Sequence, residues 1–125
     1  MRLCGIALLA LLLCLSGGAQ AHGHQHRIIT HGVTDGRPAA WCGWEMRQLV
    51  GRDPGPFYNL ARNWSHWGSA ASGPAPGVIG VMPHHVFKVV QVLGRGSVLA
   101  ISGNDGHAVR VRPRSTAGVI AWREG

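Results

Sequence analysis

Near residue 69 the apolar residues change their period, and that change leaves the chain few architectures. Before it, Cys42, Met46, Leu49 and Val50 recur at i, i+4, i+7 and i+8, one face of a helix that Gly51 closes. Arg52-Asp53-Pro54-Gly55-Pro56 reads as a turn. Phe57, Leu60, Ala61 and Trp64 then repeat the helical spacing up to Gly68, which predicts a second helix. Ser69 to Pro76 reads as a loop of small residues. Beyond it lie short runs rich in β-branched residues: Val78–Met82, His85–Leu93, Val98–Ser102, Ala108–Arg112 and Val119–Arg123. Glycine-containing turns separate them at Gly94-Arg95-Gly96, Asn104-Asp105-Gly106 and Pro113 to Gly118. In the fourth run Val109 and Val111 alternate with Arg110 and Arg112, as a half-buried strand requires. Helices followed by a meander of about five strands predict an α+β domain, with two N-terminal helices packed on an antiparallel sheet.

The first residues have another pattern. Arg2 precedes an apolar run from Ile6 to Leu15, and Ala19-Gln20-Ala21 offers a small-residue cleavage site. Residues 1–21 therefore read as a cleavable signal peptide, which places the remaining protein in the periplasm or outside the cell. The run is shorter than the roughly 20 apolar residues of a spanning helix, and no later segment supplies one, so no membrane anchor is expected after cleavage. Residues 22–40, rich in His and Gly, read as a flexible arm, and residues 41–125 as one domain. The chain has 12 Lys+Arg against 5 Asp+Glu, which points to a polyanionic neighbour such as the cell wall. The arginines are scattered rather than clustered, which argues against a nucleic-acid reader. A monomer is expected.

Cysteine use sharpens the reading. Cys4 and Cys14 leave with the signal peptide, so Cys42 is the one thiol of residues 22–125 and no internal disulfide can form. An unpaired thiol in an oxidising compartment is a buried inert group, half of an intermolecular bridge, or a nucleophile. Cys42 stands at the predicted first turn of a helix, whose free N–H groups and partial positive charge favour a thiolate. His85 opens the second predicted strand of the sheet, where an imidazole can take a thiol proton and return it to a leaving amine. Asn104 ends the next strand, where its side-chain amide can fix the imidazole tautomer. Asn104-Asp105-Gly106 is equally a good hairpin turn. His84 is a rival base, on the opposite side of the same strand.

Further pieces recur in one order: Trp41-Cys42-Gly43-Trp44 at a helix start, Leu60-Ala61-Arg62-Asn63-Trp64-Ser65-His66-Trp67-Gly68, Gly77-Val78-Ile79-Gly80-Val81, His84-His85-Val86-Phe87, Ser102-Gly103-Asn104, and Gly118-Val119-Ile120-Ala121-Trp122-Arg123. From Trp41 to Arg123 the chain resembles the CHAP and NlpC-type amidase/peptidase families, which share the papain-like fold. The resemblance implies an exported cysteine hydrolase of amide bonds in peptidoglycan peptides that needs no cofactor. Cys42 would match the nucleophile, His85 the general base and Asn104 the residue that orients it. The sequence departs from the family pattern at Val78, where an acidic residue is usual, and around His85, where His84 and Val86-Phe87 replace nearby glycines.

Two other functions fit other features: a wall-binding or interaction module of the same fold that does no chemistry, and a periplasmic metal-binding protein. For the last, cleavage after Ala21 exposes His22-Gly23-His24, whose amine, backbone amides and third-position imidazole can hold Cu(II) or Ni(II) in a square plane. Trp44 and Trp67 lie off the predicted apolar faces, so they are candidates to stack on sugar or peptide, beside the simpler role of partly buried packing. Glu45, Arg47 and Arg62 read as solvated helix residues. Arg110, Arg112 and Arg114 form a basic strip, a match for wall carboxylates or simply a solubilising face.

Overall fold

The computed structural model describes residues 27–29 and 36–125. Residues 1–21, read above as a signal peptide, and His22 and His24, read as a candidate metal site, lie outside the described residues. The fold is α+β. A seven-stranded sheet is built from β1 (Arg27–Ile29), β2 (Ser69–Ala70), β3 (Ile79–Val81), β4 (Val86–Gly94), β5 (Ser97–Ser102), β6 (Val109–Ser115) and β7 (Ala121–Glu124). Its order is β1-β6-β5-β4-β3-β7-β2, and every neighbouring pair is antiparallel. Strands β3 to β7 are the five runs expected from the sequence. The short strands β1 and β2 are additions: β1 falls within the stretch read as an arm and pairs with β6, and β2 falls within the stretch read as a loop.

The one α-helix among the described residues, α1 (Cys42–Leu49), lies where the period of four and three placed it. The second predicted helix is instead two 3-10 segments, Pro56–Asn59 and Ala61–His66, broken by an extended Leu60. The reason is local. Trp64 donates its indole N–H to the Tyr58 carbonyl at 2.7 Å, and Asn63 donates its amide to the Phe57 carbonyl at 2.8 Å. Side chains thus take carbonyls that a continuous α-helix would use for its own backbone. Of the four positions with helical spacing, Ala61 and Trp64 are buried, while Phe57 and Leu60 are 57% and 59% exposed.

The sheet has a hydrophobic cluster on each face. Ile79, Val81 and Val86 pack with Cys42, Met46 and Val50 of the helical side and with Ala61 and Trp64. Phe87, Val89, Val98 and Ala100 form the other cluster, with Met82, Val119 and Trp122 against it. Adjacent residues Val86 and Phe87 therefore serve opposite faces, as the period of two demands.

Two glycines fix where α1 begins. A Cβ on Gly43 would strike the backbone carbonyls of Tyr58 and Asn59, so the first turn of the helix lies directly on the 3-10 segment. A Cβ on Gly103 would strike the Glu45 side chain and, at 2.9 Å, the Trp41 ring. The end of β5 is thereby pressed against the same turn. At the far end of α1, Arg47 holds Asp53 through two contacts of 2.7 Å and the Asn59 amide oxygen at 2.7 Å. Lys88 of β4 donates to the Leu49 carbonyl at 3.1 Å, which satisfies part of the helix C-terminus.

Candidate functional site

Cys42 is the first residue of α1, and Trp41 before it provides no side-chain cap. The first-turn amides are therefore free for another acceptor, and the sulfur is beside them. The thiol donates to the His84 carbonyl at 3.9 Å. Only 5% of Cys42 is exposed, and burial pushes its pKa above the ordinary thiol value. The backbone amides of Val86, Gly43 and Cys42 itself, together with the positive charge of Arg114, pull the other way. The helix start supplies the anion-stabilising groups expected of it, and desolvation outweighs them.

His85 directly precedes β4 and is largely buried, with Nε2 lacking a hydrogen-bond partner. Burial, then the charge of Arg114, lowers its pKa to about 4, and Asp105 opposes the shift. The imidazole is neutral at ordinary pH. The thiol and the imidazole thus share one electrostatic neighbour, Arg114 of β6. They make no hydrogen bond to each other.

Asn104 lies at the end of β5 in the predicted hairpin turn. It adopts a left-handed φ of 50°, and its side chain donates to the Ala39 carbonyl at 3.4 Å rather than to His85. The next residue organises this corner. Asp105 is 5% exposed and accepts from Arg112 at 2.8 Å, from Arg114 at 3.0 Å and from the Ser102 hydroxyl at 3.5 Å. A second oxygen–nitrogen contact joins it to Arg112, and its backbone carbonyl accepts from Arg110 at 2.7 Å. The basic strip of β6 is thus gathered around one buried carboxylate and is not a uniformly free face. Glu45 also departs from the solvated reading: it is 1% exposed, beneath Trp41 and Gly103.

Sequence reasoning named Asp105, Arg114 and Glu45 but missed the burial of the two carboxylates and the pairing of Arg114 with Asp105. The signal for Asp105 was the alternation that put Arg110, Arg112 and Arg114 on one side of a strand immediately after it. For Glu45 the local sign was Trp41, one helical turn before it, and the other group that meets it, Gly103, comes from far along the chain.

A cavity of about 150 Å³ opens beside the thiol, lined by Cys42 with Ala40, Asn59, Leu60, Ala61, Arg62, Pro83 and His84. A second cavity of about 340 Å³ shares Arg62, Pro83 and His84 and reaches Ile120. The histidine that lines these cavities is His84; His85 lines neither. Trp67 lines a different cavity, of about 690 Å³, with Val50 to Pro54, Gly68 and Gly125, and its ring is tilted by 52° against Trp64 with the centroids 5.5 Å apart. Trp44 is half-buried on α1. Among the described residues, no three His, Cys, Asp or Glu side chains are grouped to hold a metal ion, and no helix is long and apolar enough to cross a membrane. The chain matches no family model, no curated protein and no solved structure.

Proposed function

We propose that this protein is an exported, papain-like thiol hydrolase of amide bonds in peptidoglycan peptides, with Cys42 as nucleophile and His85 as general base. The observation that carries the proposal is the position of Cys42: at the start of α1, against the backbone of residues 84–86, with one side open to a cavity. The reading also draws on the resemblance of Trp41 to Arg123 to the CHAP and NlpC-type families.

The chemistry follows from the protonation states. A buried thiol and a neutral imidazole form the resting pair. As the sulfur attacks the amide carbonyl, its proton passes to the imidazole, so no free thiolate accumulates. A carbon–sulfur bond forms, and the carbonyl oxygen takes the electron pair of the double bond. The Cys42 amide, at the helix N-terminus, stabilises that oxyanion. The imidazolium returns the proton to the departing amine, leaving a thioester. Water, deprotonated by the imidazole, then releases the carboxylic acid and restores the thiol. Arg114 favours the neutral imidazole and so helps to return the proton. Asn104 holds the loop that follows β5 through Ala39 and thereby contributes to placement rather than to proton transfer.

Incubation with soluble wall peptides tests this. New amino groups should appear, identified by mass spectrometry at one type of amide bond. Cys42→Ser should remove the product, and His85→Ala should lower its rate by at least about 100-fold. Full activity in Cys42→Ser would sink the proposal. Loss with His84→Ala and not with His85→Ala would transfer the role of base to the residue that lines the cavity.

A second reading, a wall-binding module of the same fold without catalysis, is favoured by the raised pKa of Cys42 and the lack of a hydrogen bond at His85 Nε2. It expects retention on insoluble wall material, no product, and no change with Cys42→Ala.

A further inference from the structure

Three guanidiniums gather on one residue beyond the end of β5. Arg112 spans both carboxylate oxygens of Asp105, with its Nε at 2.8 Å from one of them, and Arg114 donates to that same oxygen at 3.0 Å. Arg110 donates through Nε to the Asp105 backbone carbonyl at 2.7 Å. The period of two places all three side chains on one face of β6.

One planar fork is enough to satisfy a carboxylate, and Arg112 alone supplies it. Arg110 and Arg114 are a surplus: three guanidiniums and one carboxylate leave two positive charges around a single residue. Like charges held so close repel, and no other acidic side chain pairs with these arginines among the described residues. The surplus also faces water. The side chain of Arg112 is 39% exposed, and Gly106 and His107 of the adjoining turn are exposed. The contacts to Asp105 use Nε of Arg110, Nε and one terminal nitrogen of Arg112, and one terminal nitrogen of Arg114. Each guanidinium therefore keeps N–H groups that bond to nothing among the described residues.

We infer that Arg110, Arg112 and Arg114 form a binding site for a phosphate group, free or as a monoester, with Asp105 as the post that holds the three guanidiniums together. Charge and shape select this ligand. A phosphate monoester carries close to two negative charges near neutral pH, and its three terminal oxygens point in different directions. One such group can accept from all three guanidiniums and cancel both surplus charges. A carboxylate has one charge and two oxygens in a plane, which is what Asp105 already provides. The site does not depend on the hydrolase reading, since none of these arginines lines the cavity at Cys42 or the one that reaches Ile120.

A nuclear magnetic resonance titration with inorganic phosphate tests it, at constant ionic strength and at a pH well above the second phosphate pKa of about 6. The backbone amides of residues 104–114 should shift and saturate. Shifts centred elsewhere, or none, would overturn the assignment, and this needs no variant to fold. Arg110→Gln leaves both ion pairs of Asp105 in place and should weaken binding about ten-fold. Arg95→Gln removes the same charge from the exposed turn between β4 and β5 and should leave binding unchanged. Equal weakening by the two variants would reduce the effect to net charge and refute the site. Dimethyl phosphate and acetate, each with one charge, should bind at least about ten-fold more weakly than phosphate. Parity with either would refute the ligand class. Glycerol phosphate distinguishes the sources: affinity equal to that of inorganic phosphate assigns the site to the phosphate group alone, and tighter binding assigns it to an esterified phosphate. Binding as weak as that of dimethyl phosphate would remove monoesters from the proposal.

Discussion

His85 is a buried base that costs the folded state something in acid. Its ordinary pKa is 6.5, and in the fold it is lowered to about 4 by burial and by Arg114. Between these values the unfolded chain binds a proton that the folded chain does not. The contribution is therefore complete above about pH 6.5 and is lost as the pH falls toward 4, by up to about 1.4 kcal/mol per pH unit. Urea unfolding at pH 7 and pH 4.5 should show a steeper loss for the native protein than for His85→Gln. Equal losses would mean that His85 is not desolvated in the fold. The same residue shows how far a sequence can be read. The positions of Cys42, first in a helix, and of His85, one residue before β4, were legible because the start of an element is a local signal. The state of each group was not, since desolvation depends on what lies across the core. Asp105 is the plainest case: from Asn104-Asp105-Gly106 it is a turn residue, and only the folded sheet delivers Arg112 and Arg114 to its carboxylate. Asn104, read as the partner of His85, is held instead by Ala39.

Among the elements, α1 and the first 3-10 segment act as a pair, because Gly43 has no Cβ to separate them. Gly43→Ala should force the helix start away from the Tyr58 and Asn59 carbonyls, at a cost of about 1 to 3 kcal/mol. Denaturant unfolding measures the cost, and a neutral substitution would show that the contact is looser than described. Helix propensity alone predicts the reverse sign, since alanine is the better helix former. Strands β3 to β7 were legible from β-branched runs bounded by glycine turns. The 3-10 segments were not, because a spacing of three and four fits one turn of either helix type. What separates them is Trp64 and Asn63 bonding back to Tyr58 and Phe57, a choice made by side chains.

At the scale of the whole molecule, one sheet carries two hydrophobic clusters, so neither can be lost without disturbing the other. Met46→Ala on the helical side should cost about 2 to 5 kcal/mol, and Phe87→Ala on the other about 3 to 5 kcal/mol. Each variant should still unfold in one transition, with tryptophan fluorescence and circular dichroism coincident. Separate transitions would mean that the faces are independent units. The strand order, with β7 beside β3, was not foreseeable from the runs themselves, because pairing of the last strand is a long-range choice. Cys42 is surrounded by groups from residues 84–86 and influenced by Arg114, all far along the chain. During synthesis, then, the thiol leaves the ribosome long before its surroundings do. Until β4 and β6 have formed it is an ordinary cysteine, and whatever chemistry the finished fold confers is delayed until the last third of the chain has arrived.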